Sequence, residues 1–374
     1  MPGHIDFIME YTLIIIAGFA LALFIARIII PNILIISMRK GLFDVPDSRK
    51  VHKRPVSRLG GVCFFPVILF TLTFVVAVSK MTGYWIFEET DTQFPEFLLF
   101  CSGLTLLYIV GIADDLVGVR YRKKFLIQIV AALMFPLAGL YVNDLYGLFG
   151  IHAISPFIGV PLTVLLVVFV TNAINLIDGI DGLASGLSMV ALFVFGNLFA
   201  YSGAWIYSLL AFTTIGVILP FFFFNVFGNA DRGSKIFMGD TGSLTLGFIL
   251  SFLTIKYIMN QYVSGINYDG AILIAFSVLL VPSLDVVRVV LRRLRNGKSP
   301  FLPDKTHIHH KFLAMGFAPR KAMITILIIS FIFCLSNILL VSYVNNTLLF
   351  IGDIIVWTVM NMYMDKVINK RVMN

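Results

Sequence analysis

The chain has 374 residues, 59% of them hydrophobic and 13% charged, with a mean hydropathy of +0.95 and a formal net charge of +8. A soluble domain of this composition would be covered in exposed apolar surface, which excludes a water-soluble enzyme or binding module and predicts an all-α, polytopic membrane protein. The positive charge needs no nucleic-acid partner, because its placement reads as a topology signal with attraction to anionic membrane lipid.

A lipid-facing backbone must satisfy its own hydrogen bonds, and a hydrocarbon core of roughly 30 Å takes about 20 helical residues. In chain order the apolar runs predict 11 transmembrane helices, at 11 to 36, 59 to 79, 94 to 113, 125 to 142, 157 to 177, 184 to 201, 204 to 224, 238 to 257, 270 to 290, 322 to 343 and 348 to 364. The fourth is short and carries Pro136, a helix breaker. The first ten residues contain no Lys or Arg, and the run that follows is too long for a signal h-region, so it is expected to remain as the first span. Cys63, Cys101 and Cys334 fall within predicted helices without close-spaced partners and read as small buried hydrophobes. With no internal repeat or separate soluble segment, 1 to 374 is expected to be a single integral-membrane unit.

Cytoplasmic loops retain Lys and Arg during insertion. Of the 28 such residues, all but Arg27, Lys80 and Lys256 follow an odd-numbered span: seven from Arg39 to Arg58, four from Arg120 to Lys124, Arg232 and Lys235, nine from Arg288 to Lys321, and three from Lys366 onward. The N-terminus is therefore expected outside and the C-terminus in the cytoplasm. A carboxylate in mid-membrane costs about 2.5–3.5 kcal/mol on insertion scales. Here Asp44, Asp47, Asp114, Asp115, Asp178, Asp181, Asp231, Asp240, Asp285, Asp304 and Asp365 avoid it by lying at or beyond predicted cytoplasmic helix ends. Such a rim of mixed charge suits a water-soluble anion that must meet a lipid.

Four polar outcrops stand out. Asp114-Asp115, followed by the basic Arg120 to Lys124 run, is either a solvated helix end or a pair of repelling carboxylates held by a cation. In TNAINLIDGIDGLASG, the spacing of Asn172, Asn175 and Asp178 puts them on one helical arc. Gly179 and Gly182 then end that helix, Asp181 lies in the turn and Leu183 starts the next span; helix caps or a ligand or metal site would each use these groups. At FMGDTGSL, Asp240 is either an N-cap or part of a phosphate site, since a helix N-terminus and a carboxylate-held cation attract the same anion. Magnesium is the expected ion, being hard and commonly held by one or two carboxylates plus phosphate oxygens; manganese is the alternative. PDKTHIHH, with His307, His309 and His310, reads as a solvated loop, as a zinc site of unusual spacing, or as ring N–H donors recognising phosphate or sugar.

Taken in this order, the motifs resemble those of the polyprenyl-phosphate N-acetylhexosamine-1-phosphate transferases, from about Gly41 to the last helices. GLFDVPDSRKVHKRPVSRLGG is similar to that family's opening loop, Asp114-Asp115 with Lys124 and Gln128 to its paired-aspartate motif, NAINLIDGIDGLASG and FMGDTGSL to its two central motifs, and PDKTHIHH to the fifth loop of the branch that uses UDP-N-acetylglucosamine. The resemblance implies attack by the phosphate of a polyprenyl phosphate, usually undecaprenyl phosphate, on the β-phosphorus of a UDP-N-acetylhexosamine, with UMP leaving, at the cytoplasmic face of the bacterial inner membrane.

Residue by residue, it implies Asp240 as the main magnesium ligand with Asn175 as a second. Asp114 and Asp115 stand at catalytic positions. Asp178, Asp181, Asn225 and Phe237 match nucleotide-binding positions, with Phe237 stacking on uracil, and Asn172 is a further substrate-binding residue. Lys124, His307, His309 and His310 match positions for phosphate and sugar contact, and Lys53 and Arg58 are weaker matches. Because a phosphate monoester with a second pKa near ~6 is mostly dianionic at neutral pH, a general base is scarcely needed, and single-step attack with Asp114 assisting is the expected route. His-Ile-His-His rather than three consecutive histidines favours UDP-GlcNAc over the phospho-MurNAc-pentapeptide branch and a cell-surface polysaccharide or teichoic-acid pathway; another UDP-N-acetyl(deoxy)hexosamine is the alternative donor. A homodimer is compatible with this reading. Outside the family, an aspartate-rich intramembrane prenyltransferase would need a second DxxxD-like motif that DDLVG does not supply, and a transporter would place charges in mid-membrane, where Arg27 alone is a candidate.

Overall fold

A computed structural model describes residues 2–43, 56–87, 93–259, 270–299 and 306–373. The helices are α1 (Pro2–Lys40), α2 (Phe64–Met81), preceded by a 3-10 turn at Leu59–Cys63, α3 (Gln93–Val117), α4 (Tyr121–Ala132) and α5 (Met134–Leu137). A short antiparallel hairpin, β1 (Asp144–Leu148) and β2 (Ile151–Ala153), leads into α6 (Pro156–Ile177), α7 (Leu183–Tyr201), α8 (Trp205–Phe227) and α9 (Gly239–Met259). The chain ends with α10 (Ala271–Val278), α11 (Leu280–Arg295), α12 (Ile308–Ala314), α13 (Pro319–Leu340) and α14 (Asn346–Met373).

The protein is an all-α, multi-pass membrane protein. Among the described residues, nine helices are long and apolar enough to cross a membrane, and α10 with α11, bent by 72°, makes a tenth if taken as one span. The difference from the expected 11 lies in the fourth, at 125 to 142. There the chain forms a 12-residue and a 4-residue helix instead of a full span. Pro136 explains the interruption: it has no N–H for the carbonyl of Ala132, and its ring crowds that carbonyl, so the helix stops at Ala132. The stub is retained because Phe135 stacks on Phe248 of α9 at 4.8 Å.

Helix α9 sits at the centre of the bundle, nearly all of its residues buried. Small residues allow its neighbours to approach. A Cβ at Gly247 would lie 2.6 Å from the Cα of Thr171 on α6, and one at Gly111 of α3 would lie 2.5 Å from the Cα of Thr241. Three of its hydroxyls are satisfied within the helix, because Thr245, Ser251 and Thr254 each donate to the carbonyl four residues back, at 2.7–2.8 Å. The apolar contact with α3 is aromatic, Phe100 lying 4.3 Å from Phe252 and 5.8 Å from Phe248. Pairs of this kind contribute about 0.5–1.5 kcal/mol beyond area burial.

The two helices run antiparallel and are joined by charge near both ends. At one end, Lys256 of α9 donates to Glu96 of α3 at 2.8 Å, and the Tyr207 hydroxyl donates to the same carboxylate at 3.1 Å. Removing one member of so enclosed a pair strands the other. Lys256→Met is therefore expected to destabilise the protein by about 3–5 kcal/mol, and adding Glu96→Gln should recover more than half of that loss. Thermal unfolding of the three proteins in one detergent checks this, and equal melting temperatures for the single and double variants would refute it.

Candidate active site

At the opposite end of the α3–α9 pair, Asp114 and Asp115 meet the first turn of α9. Asp115 accepts from the backbone N–H groups of Asp240 at 2.8 Å and Thr241 at 2.9 Å, and from the Thr241 hydroxyl at 2.6 Å. A carboxylate from one helix thus satisfies the otherwise unpaired amides of another, with the helix dipole adding to the attraction. Gly239, at φ +70°, turns the chain into α9, and a side chain there would collide with Asp115 and with the carbonyl of Arg58.

Asp114 faces elsewhere. One of its oxygens accepts from the Val119 N–H at 2.6 Å, which fixes the turn into α4, and the other lies 3.2 Å from the Lys124 ammonium. Lys124 also pairs with Asp240, so one cation bridges two carboxylates from different helices. Burial works against that charge, but the attraction of Asp240 and Asp114 outweighs it and raises the Lys124 pKa above its usual value. Asn175, one turn before the end of α6, donates to Asp240 at 3.1 Å and to Ser243 at 2.8 Å. Asn172 donates to Gln128 of α4 at 2.6 Å and ties α6 to the same group.

Helix α6 ends at Ile177, Gly182 takes φ +78° and Leu183 opens α7, as the glycine spacing predicts. Asp178 in this link is driven up to about pH 7 by burial first, then by Asp181, Asp240 and Asp115. Asp181 is paired at 2.5 Å with Lys235. The Lys235 ammonium also lies 5.9 Å from the centre of the half-buried Phe237 ring. The Phe237 backbone is held on both sides, donating to Ser57 at 2.8 Å and accepting from Gly60 at 2.9 Å. These bonds dock the end of the first loop against the entrance to α9.

Other expected residues have different surroundings. Asn225 is buried and commits both ends of its amide to backbone, accepting from Gly182 at 2.6 Å and donating to Ile236 at 2.8 Å, so it braces the two loops that frame the site. Arg58 reaches the group through its carbonyl beside Gly239, while its side chain is exposed. Lys53, with Asp44, Asp47 and Asp304, lies outside the described residues. His309 is buried against the Asp178–Asp181 link: a Cβ at Gly179 would fall 2.1 Å from its Nε2. His307 stacks parallel on His309 at 5.9 Å, and His310 lies 4.1 Å from His309. Sequence reasoning did not single out Lys235, Thr241 or Ser243. Their signal was proximity to Asp240 within one polar run, and their partners could not be read from it.

The donor set is one of hard oxygens around a bridging ammonium. Among the described residues no three His, Cys, Asp or Glu side chains form a complete metal cage. The carboxylates of Asp114 and Asp240 with the Asn175 carboxamide fit a cation that takes one or two carboxylates and completes its shell from a ligand.

An acid with its folded pKa raised above its unfolded one binds more protons when folded. Between the ordinary 3.8 and the folded value of about 7 for Asp178, this residue's contribution to stability therefore falls as pH rises. Asp178→Asn should flatten the decline in unfolding free energy over that range, measured by denaturant titration with chelator present; an unchanged pH profile would show that Asp178 ionises normally.

Residues 97–258, which carry the α3, α6 and α9 contributions to this site, match glycosyl transferase family 4. The chain is 33% identical over 333 residues to a Bacillus subtilis protein named "Probable undecaprenyl-phosphate N-acetylglucosaminyl 1-phosphate transferase", covering 88% of this chain and 85% of that one. It is 34% identical over 322 residues to the Yersinia pestis undecaprenyl-phosphate alpha-N-acetylglucosaminyl 1-phosphate transferase, covering 85% and 80%. The Escherichia coli K12 protein of the same name is 31% identical over 294 residues, covering 78% and 74%. With similarity extending over most of both chains, and with the motif residues gathered around the first turn of α9, the chain belongs to the polyprenyl-phosphate N-acetylhexosamine-1-phosphate transferase family, glycosyl transferase family 4.

Proposed function

We propose that this protein transfers GlcNAc-1-phosphate from UDP-GlcNAc to undecaprenyl phosphate at the cytoplasmic face of the bacterial inner membrane, as the first membrane step in assembling a cell-surface glycan. The names of its relatives support the substrates. The observation that carries the chemistry is the Lys124 ammonium bridging Asp114 and Asp240 beside Asn175, where the ends of four helices meet. Lys and Arg concentrated in the loops on that same side support a cytoplasmic site, with the N-terminus outside and the C-terminus inside.

The reaction is a single displacement. An oxygen of the lipid phosphate forms a bond to the β-phosphorus of the donor, the bond from that phosphorus to the bridging oxygen breaks, and UMP leaves with that oxygen. Since the attacking monoester is already largely dianionic, the residues have to align two anions and neutralise them. Lys124 supplies a fixed positive charge, Asp114 holds Lys124 and orients the acceptor, and Asp115 serves as a positioning residue because its oxygens are occupied by the α9 amides. Magnesium, or manganese in its place, would be held by Asp240, Asp114 and Asn175 and would supply charge neutralisation at the diphosphate. Phe237 offers a ring face for uracil, with Asp178, Asp181 and Lys235 on the nucleotide side.

Asp240→Ala is expected to lower turnover at least about 100-fold while the protein still inserts and purifies as a folded species. The assay supplies purified protein, undecaprenyl phosphate, magnesium and separately UDP-GlcNAc, UDP-MurNAc-pentapeptide and UDP-deoxyhexosamines, scoring UMP. Wild-type turnover in the variant would remove Asp240 from the site, and UMP release from another donor in preference to UDP-GlcNAc would overturn the donor assignment.

A further inference from the structure

The carboxylate of Asp285 is completely buried on α11, outside the group around Asp240. Its partners come from its own helix and from the His307–Ile308 segment. One oxygen accepts from the Ile308 N–H at 2.9 Å, at the start of α12, and from Arg288 at 2.7 Å; the other lies 2.8 Å from Nδ1 of His307. Arg288 also donates to the Thr306 carbonyl at 2.5 Å, so the charge that balances Asp285 also grips the segment carrying the histidines.

An ionised carboxylate can only accept hydrogen bonds, so the proton of this contact belongs to Nδ1. We propose that Asp285 is a positioning residue that fixes His307 in the Nδ1–H tautomer, leaving Nε2 as the acceptor through which this loop selects a hydroxyl or amide donor on the sugar. In that tautomer the His307 ring presents an acceptor at Nε2. His309, stacked parallel to it, is pushed down to about 3 by burial and by the neighbouring His310, and is therefore neutral at physiological pH. Nδ1 of His309 is buried with no hydrogen-bond partner. The His309 ring against Gly179, with His307 stacked on it, suits the uncharged part of a UDP-sugar, whereas its phosphates require the cationic side of the site at Lys124. The assignment rests on the UDP-sugar reading above for its substrate, but the tautomer itself does not.

Two measurements test it. ¹⁵N NMR of histidine-labelled wild-type protein, with His307→Ala used to assign the resonance, should show His307 protonated at Nδ1 and bare at Nε2. Kinetically, Asp285→Asn should raise KM for UDP-GlcNAc about 10- to 100-fold, the worth of one hydrogen bond to a charged group, with KM for undecaprenyl phosphate unchanged and partial recovery in Asp285→Glu. A wild-type His307 protonated at Nε2 would overturn the proposal. So would an Asp285→Asn variant that loses kcat and both affinities together with its melting temperature, since that is the pattern of a merely structural residue. Failure of the wild-type protein to release UMP from any UDP-sugar would sink the proposed reaction instead, and the NMR arm would still decide the tautomer.

Discussion

Everything at the site is referenced to the grip of Asp115 on the first turn of α9. Free amides at a helix start need partners, and here two of them, with the Thr241 hydroxyl, bond to one carboxylate from another helix. Hydrogen bonds to a charged group contribute about 1.5–3 kcal/mol each, enough to fix the rotation of α9 relative to α3 and not merely its distance. That rotation aims Asp240 at Asp114 and Lys124. Adjacent aspartates therefore divide the work, with the Asp115 side chain tying helix to helix and the Asp114 side chain turned toward Lys124.

Charge then decides what the site can accept. Asp181 is balanced by Lys235, but Asp114 and Asp240 share the single ammonium of Lys124, and Asp115 is met only by backbone and hydroxyl donors. The excess is negative, and it lies where a donor bearing two phosphates would have to approach. On electrostatic grounds alone such a site would repel its own substrate, and Asp178, through burial first and the neighbouring carboxylates second, has its pKa raised to about 7. A divalent cation reverses the sign of the local field, which is the physical reason that an oxygen donor set with surplus negative charge belongs with magnesium in the proposed reaction.

Hydropathy carried most of the architecture, since a membrane leaves the backbone few options, and glycine chemistry placed the end of α6 and the start of α7 at the residues observed. The fourth span failed because average apolarity does not register the one residue, Pro136, that stops the helix early. The site was legible as a set of motifs and illegible as a division of labour. Asp114 and Asp115 are the same residue type one position apart, and their difference comes from their partners: Val119 and Lys124 close by in sequence for Asp114, but Asp240 and Thr241, more than a hundred residues on, for Asp115. Asn225 shows the opposite limit: a polar residue in a motif implies a ligand, yet its amide is consumed by two loop backbones.

In the proposed reaction the arrangement separates phosphorus chemistry from sugar recognition. Lys124, Asp114, Asp240 and Asn175 come from α3, α4, α6 and α9, helices packed around one buried axis, whereas the histidines ride on α12 and are held from α11. The two halves touch where His309 lies against Gly179, at a spacing that no side chain could share. A substitution at Gly179 would push the histidine loop away from the link that carries Asp178 and Asp181, and would disturb donor binding before it reached Lys124. Changes on α12, by contrast, can alter the group facing the donor while leaving the α3–α9 contact intact. Sugar preference can therefore vary within such a fold without rebuilding the site that joins the two phosphates.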